Sequence, residues 1–401
     1  MIGIESMKYS LQNLMERKGR SLFTITSIFV GITTIFIFIS FGLGLYNYVE
    51  EIMSSSSAEL VLVMSKGGGG LGLDESFKLN DNDVDAVEKT NGVFEATGVY
   101  MQPAEVIQGN KRIYTFLMAY DPKIPLLMNS YNLGLEKGRW LEKGDAGRVL
   151  LGYNYQIPDK IFPKPYKVGD KIEIQGQKLR IVGFVDSIGN PQDDSSLYVI
   201  NDFMPELYPN VDNYGMLVAR VDINNIQAVV DRIEKNLRKE RGLEEGKEDF
   251  YVQSFDDLIN TYMSALNIVV GFIVLIALIS VLVSAVNTAN TMVTSVLERV
   301  KEIGVIKSIG ARNSEIFGIF LFESSFLGFV SGIIGVGFGV LITYIIGKVL
   351  DNIGYGFLSP YYSFTLFASL ILFATLTGAI SGVVPAYQAS KLKPVDALRY
   401  E

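Results

Sequence analysis

The sequence has no cysteine and no histidine among its 401 residues, and only 19% of them are charged. Without cysteine there are no disulfides, thiolate metal sites or cysteine nucleophiles. Without histidine the commonest general base and the commonest transition-metal ligand are both missing. The phosphate-cradling pattern Gly-x-x-x-x-Gly-Lys-Ser/Thr is absent as well, so the chain is not itself an ATPase of the P-loop kind. A hydrolase built from what remains would need something like a Ser–Lys pair. Ser65–Lys66, beside the glycines Gly67–Gly70, reads instead as a turn. No catalytic residue, metal ligand or cofactor site is expected in this chain.

The charge deficit is concentrated. Four windows carry no charge between their ends: Arg20 to Glu50, Asp257 to Glu298, Glu323 to Lys348 and Asp351 to Lys391. Roughly 20 apolar residues in a helix cross about 30 Å of hydrocarbon, so each window holds one membrane span. The spans fall near Leu22–Tyr46, Leu266–Val286, Phe326–Ile346 and Phe364–Val384. A cleaved signal peptide is the competing reading of the first, but the stretch is too long for one and a polar, amphipathic flank precedes it. The block between the first two spans is rich in charge and turns. Residues 50 to 257 hold 23 Lys+Arg against 34 Asp+Glu, so this block is acidic and nucleic acid is not expected as a partner.

Short basic flanks orient the chain. Lys8, Arg17, Lys18 and Arg20 precede the first span. Arg299, Lys301, Lys307 and Arg312 lie between the second and third, and Lys391, Lys393 and Arg399 follow the fourth. The loop between the third and fourth spans offers only Lys348. Positive short loops stay in the cytoplasm, which puts both termini inside and the large block outside, in a multi-pass protein of the cell membrane. Before the first span, Ile4, Met7, Leu11 and Leu14 share one helical face, as in a helix lying on the inner leaflet among lipid headgroups. In the third span, Gly328 and Gly332, then Gly335 and Gly339, are spaced for close helix approach. That approach serves packing within the subunit or an interface between subunits. No strand precedes the second pair, so it is not a nucleotide fingerprint.

The outer block reads as mixed α and β. Strands are expected at Leu60–Ser65, Val168–Ile174, Lys178–Val185, Leu197–Ile200, Met216–Val221 and Phe250–Gln253, and a helix over Asn224–Arg241. Asn80 and Asp81 mark an N-cap for a helix over Asp81–Thr90. Asp81, Asp83 and Asp85 imitate the start of a calcium loop, but Ala86 and Gly92 stand where that loop needs Gly and Glu, so capping is the better account.

One segment carries a specific resemblance. Glu298-Arg299-Val-Lys-Glu302-Ile303-Gly304-Val-Ile-Lys307-Ser-Ile-Gly310-Ala311-Arg, with Ile316 to Glu323 after it, resembles the cytoplasmic segment of MacB-like ABC transporter permeases, a group that includes the LolC/LolE and FtsX permeases. Pro385 to Arg399 looks like that family's terminal signature, and Asn13 to Phe41 is similar to its first helix. Lys137-Gly138-Arg139, Val168-Gly169-Asp170 and Asn190 to Ile200 resemble its periplasmic core.

The resemblance implies a dimer of permeases, with a second copy or a homologous permease, binding separate cytoplasmic ABC ATPase subunits that hold ATP-Mg. It implies ATPase coupling through Glu298, Arg299, Glu302, Ile303, Gly304, Lys307, Gly310 and Ala311, whose charged members are expected to be solvated. The physical reading is compatible. Charges interleaved with Ile303, Val305, Ile306 and Ile309 make a short amphipathic helix that docks in a partner's groove.

The expected organisation runs in chain order. An interfacial helix (1–21) precedes the first span (22–46) and the outer α+β domain (47–257). That domain has an α/β part (47–119 and 214–257) and a β-rich insert (120–213). A stalk with the second span (258–290), the coupling segment (291–316), the third span (317–347), an outer loop (348–361), the fourth span (362–385) and a cytoplasmic tail (386–401) complete it. The second charge-free window is too long for one crossing, so it either continues as a stiff helix beyond the membrane or breaks near Asn287–Asn290. The expected function is a permease that transmits ATP-driven motion to its outer domain, for export or extraction of a lipid, lipopeptide, drug or protein. The alternative is an FtsX-like regulator of an extracytoplasmic partner such as a cell-wall hydrolase, without transport.

Overall fold

The computed structural model describes residues 18–55, 59–66, 78–130 and 132–399. The amphipathic segment around Ile4 and Leu14 and the glycine run Gly67–Gly70 lie outside the described residues. The chain divides into two units. One holds the described residues up to Leu45, Leu266–Val349 and Leu358 onward; the other holds Tyr46–Ala265 and Leu350–Phe357.

The α+β unit is a ten-stranded sheet. Its strands are β1 (Leu60–Ser65), β2 (Val93–Gln108), β3 (Lys111–Tyr120), β4 (Leu135–Gly138), β5 (Arg148–Leu151), β6 (Lys171–Ile174), β7 (Gln177–Val185), β8 (Leu197–Ile200), β9 (Met216–Val221) and β10 (Phe250–Ser254). The order is β10-β1-β9-β2-β3-β8-β5-β7-β4, with β6 beside β2 and β7. Among the described strands, only β3–β8 and β5–β7 pair in parallel. The helices of this unit include α2 (Asp81–Glu88), α3 (Leu126–Ser130), α4 (Met204–Leu207) and α5 (Ile226–Glu240).

Strand β2 joins the two halves of the sheet. Val93–Val99 pairs with β9, and Tyr100–Gln108 pairs with β3. Strands β1 and β9 are buried on both faces. Leu60, Leu62, Met216 and Val218 enter one core while Val61, Val63, Leu217 and Ala219 enter the other. Both strands therefore read as continuous apolar runs instead of alternating ones. The second core is closed by α2 and by Val229, Val230, Ile233 and Leu237 of α5, spaced along one helical face.

Asn80 caps α2. Its side chain accepts from the amides of Asn82 (2.9 Å) and Asp83 (3.4 Å), and Asp83 returns a carboxylate to the Asn80 amide at 2.9 Å. This is the reciprocal box that satisfies two orphan helix-end donors. Asp83 also pairs with Arg241 at 3.0 Å, so the aspartates that imitate a calcium loop serve capping and an ion pair.

The sheet has four strands beyond the sequence reading: the short β4 and β5, and the pair β2 and β3. The hairpin of β2 and β3, from Val93 to Tyr120, was not expected, and its second half already belongs with the strands of the β-rich part, which therefore begins at Tyr100 rather than at 120. The segment Leu350–Phe357 packs into this unit too. Lys160 Nζ donates to the Asn352 carbonyl at 2.8 Å, and the Phe357 amide donates to the Gly189 carbonyl at 3.2 Å.

Among the described residues, four helices are long and apolar enough to cross a membrane: α1 (Lys18–Ser55), α6 (Phe255–Glu298), α8 (Asn313–Ile353) and α9 (Phe364–Ser390). Helix α6 is unbroken through Asn287–Asn290, which removes the broken-helix alternative. Its 44 residues extend about 66 Å at 1.5 Å per residue, about twice the hydrocarbon thickness.

The α8 glycines pack inside the subunit. A Cβ at Gly328 or Gly332 would meet Ala374 of α9. One at Gly335 would meet Ile32 of α1, and one at Gly339 would lie 2.6 Å from the ring of Phe36. Thus one pair of glycines lets α9 approach and the other lets α1 approach. Two side-chain hydrogen bonds tie the same bundle, from Thr33 to the Gly335 carbonyl (3.1 Å) and from Ser284 to the Ser27 carbonyl (2.9 Å). Helix α6 is the outlier. Only 11% of its most apolar window is buried within the chain, against 33% or more in the other three.

Candidate functional site

The segment between α6 and α8 folds as a helix of its own, α7 (Val300–Ser308), and the chain ends its described part with α10 (Pro394–Arg399) packed against it. Arg299 is the single residue between α6 and α7. Gly310 ends α7. With φ of +108° it occupies the left-handed region that suits glycine. The Gly310 amide donates to the Lys307 carbonyl at 3.1 Å and the Ala311 amide to the Ile306 carbonyl at 3.3 Å, the paired bonds of a Schellman stop.

Helix α7 has two faces. Val300, Ile303 and Gly304 are buried. Ile303 joins Met292 and Val296 of α6, Ile316 and Phe320 of α8, and Ala386 and Ala389 of α9 in one apolar cluster. The opposite side presents Lys301, Glu302, Val305, Ser308 and Ile309, all exposed, next to exposed Glu298 at the end of α6. Ile309 is 82% exposed and Val395 of α10 is 76% exposed. An outward face of apolar side chains edged by charges of both signs is suited to receive a protein partner.

Arg299 corrects the expectation that the charged members are solvated. Its side chain is 4% exposed and its guanidinium lies 3.1 and 3.3 Å from the two carboxylate oxygens of Glu323 on α8, itself 3% exposed. Lys307 is half-buried. Its ammonium donates to the carbonyl oxygens of Ser390 (2.8 Å) and Leu392 (2.6 Å) at the end of α9, where the helix leaves acceptors unsatisfied and carries partial negative charge. Of the eight expected coupling residues, Glu298, Glu302 and Gly310 are exposed and Ala311 is half-buried. Arg299, Ile303, Gly304 and Lys307 turn inward and hold the helix in place.

The motif around Gly138 and Arg139 also resolves into structure. Asp145 is buried and accepts from Arg139 (2.7 and 3.0 Å), Arg148 (2.6 Å) and the Glu142 amide (3.0 Å). The Arg139 hydrogen bonds hold its carboxyl below the usual carboxylate range, against the opposing effect of burial, with further help from the Glu142 amide and the charges of Arg139 and Arg148. Every acceptor position of Asp145 is taken up by the fold.

Comparison with known proteins identifies this arrangement. Residues 21–236 match the family described as MacB-like periplasmic core domain, and residues 258–394 match FtsX-like permease C-terminal. An uncharacterized ABC transporter permease of Methanocaldococcus jannaschii is 33% identical over 98% of this chain and 97% of its own length. The chain is an ABC transporter permease of the MacB/FtsX type. YknZ of Bacillus subtilis, also named an uncharacterized ABC transporter permease, is 24% identical over 99% of both chains. The macrolide export ATP-binding/permease protein MacB of Shewanella sp. is 26% identical over 99% of this chain, which spans 61% of that protein. Among solved structures, the YknZ extracellular domain matches with a TM-score of 0.39 at 13% identity, covering 48% of this chain and 99% of that domain. The periplasmic region of MacB from Actinobacillus actinomycetemcomitans matches with a TM-score of 0.43 at 16% identity, covering 54% and 97%. A permease of this type is a multi-pass membrane protein and implies an ATPase subunit as its partner.

Proposed function

We propose that the outward face of α7, with Glu298, Lys301, Glu302, Val305 and Ile309, docks on a cytoplasmic ABC ATPase subunit, and that ATP-driven motion of that subunit is passed along α6 to the α+β domain. The observation that carries this reading is the continuity of α6. Its first residues, Phe255 and Ile259, belong to the core of the α+β unit, and its last apolar residues, Met292 and Val296, pack with α7. One unbroken helix thus ends in both clusters, as a mechanical relay requires.

The buried charges of the membrane unit support mechanical work over conduction. Among the described residues they are Arg299 and Glu323, and the two neutralise each other. Ionisable groups lining a span usually mark a solute path, and no unmatched one is found among these. In this reading the termini and α7 are cytoplasmic, the α+β domain is extracytoplasmic, and ATP-Mg sits on the partner. The sparsely buried face of α6 meets membrane lipid or a second permease copy in the dimer. The work done outside is export or extraction of a lipid, lipopeptide, drug or protein.

ATP hydrolysis by the purified chain in lipid nanodiscs, with and without the ATPase subunit, tests the proposal. Turnover is expected only in the complex. Sustained hydrolysis by the chain alone would overturn the assignment.

A further inference from the structure

Arg299 and Glu323 stand apart from everything the docking face needs, since neither reaches the surface. They are 24 residues apart in sequence, and they join the N-terminal end of α7 to the interior of α8. Glu323 lies about three turns into α8, so Arg299 grips the body of that helix and not its frayed end. Arg299 occupies the N-cap position of α7, where its donor-only guanidinium cannot cap, and it reaches α8 instead. At the other end of α7, Lys307 holds the carbonyls of Ser390 and Leu392. The helix is therefore fastened at both ends to different spans, and between the two points Ile303 enters the apolar cluster and Gly304 is buried.

A two-point attachment matters for a helix that must pass on a push. Apolar contact is non-directional and lets a short helix slide or roll on its neighbours. A guanidinium facing both oxygens of a carboxylate fixes distance and angle. Both side chains are buried, so opening the pair would strand the Arg299 charge inside the fold. We propose that Arg299 and Glu323 are positioning residues that lock α7 to α8, so that displacement of the docking face moves the spans instead of being absorbed by rocking of α7. This rests on the reading that α7 is the ATPase contact.

The test uses the full chain in lipid nanodiscs in three variants: Glu323→Gln, the apolar pair Arg299→Met with Glu323→Leu, and the reversed pair Arg299→Glu with Glu323→Arg. Amide hydrogen exchange of residues 300–308 is measured without the ATPase. ATPase binding and permease-dependent ATP hydrolysis are then measured separately. For the first two variants, exchange in α7 should accelerate and hydrolysis should fall by about tenfold each, while ATPase affinity changes by less than about threefold. The reversed pair should recover in both readouts.

The proposal is overturned if the apolar pair exchanges and hydrolyses like wild type, because shape alone would then suffice. It is equally overturned if the reversed pair inserts without recovering, or if no variant inserts, which would make the pair a folding requirement. Failure of the wild-type chain to bind any ATPase subunit counts against the docking reading instead, and the exchange rates of α7 then decide the lock by themselves.

Discussion

Ile303 inside α7 and Ile309 at its C-cap stand in opposite surroundings: Ile303 is 3% exposed against the ends of three membrane helices, and Ile309 is 82% exposed. Two isoleucines six positions apart thus do different work. One anchors α7, and the other finds no apolar cover among the described residues.

Substitutions on the buried and exposed sides should separate folding from assembly. Ile303→Ala removes buried volume and is expected to lower stability by about 2–5 kcal/mol. Ile309→Asp and Glu302→Lys alter the surface and should shift stability by less than about 0.5 kcal/mol while weakening ATPase association and stopping hydrolysis by the complex. Lys348→Glu, in α8 near Tyr344, should leave association intact. Thermal stability and co-purification of the ATPase are the two measurements. An Ile309→Asp, Glu302→Lys double variant that still assembles an active complex would remove α7 as the contact.

Orientation is open to direct labelling. Cysteines placed at exposed Lys111 and Gln177 of the α+β domain should react with a membrane-impermeant thiol reagent on intact cells, and one at exposed Ser308 should not. The chain has no native cysteine to interfere. Labelling of Ser308→Cys from outside would invert the topology.

Close packing of α1 on α8 depends on the absence of a side chain at Gly339. Its Cβ would lie 2.6 Å from the Phe36 ring, so Gly339→Leu forces the helices apart at a cost of at least about 1–3 kcal/mol. Phe36→Ala in the same chain should return part of that loss by making room. Melting of the detergent-solubilised or nanodisc-held chain reads it out. No gain on adding Phe36→Ala would mean that the ring is not what Gly339 makes way for.

The spans were legible because lipid demands long charge-free stretches: α6 and α8 contain the windows that open at Asp257 and Glu323, and α9 lies within the one that opens at Asp351. Strands β1, β8 and β9 were legible as β-branched and leucine-rich runs between turns. The β2–β3 hairpin was missed although Gly109-Asn110 stands between two strand-forming runs, a two-residue turn signal that sequence reasoning had available. The inward turn of Arg299 had no such signal. Its partner is remote in sequence, and an arginine beside Glu298 and Lys301 reads as one more solvated charge until α8 is folded against it.

Acid sensitivity of the α+β domain should trace to Asp145. Its folded pKa lies below its unfolded one, chiefly through the Arg139 hydrogen bonds. A depressed carboxyl contributes stability that is fully present above the unfolded value, about pH 4, and is lost as pH falls through the folded value. Asp145→Asn keeps the shape but gives up the charge and one acceptor, leaving the guanidinium groups of Arg139 and Arg148 under-partnered. The expected loss at pH 7 is about 1–3 kcal/mol, since both arginines are partly exposed and water softens the defect. Because the variant has nothing to titrate at this position, the gap between it and wild type should narrow as pH is lowered from 7 toward 3. Pulse proteolysis of the nanodisc-held chain across that range gives the two stabilities. A gap that stays constant down to pH 3 would show that the Asp145 charge contributes nothing and that the cluster holds by shape and neutral hydrogen bonds alone.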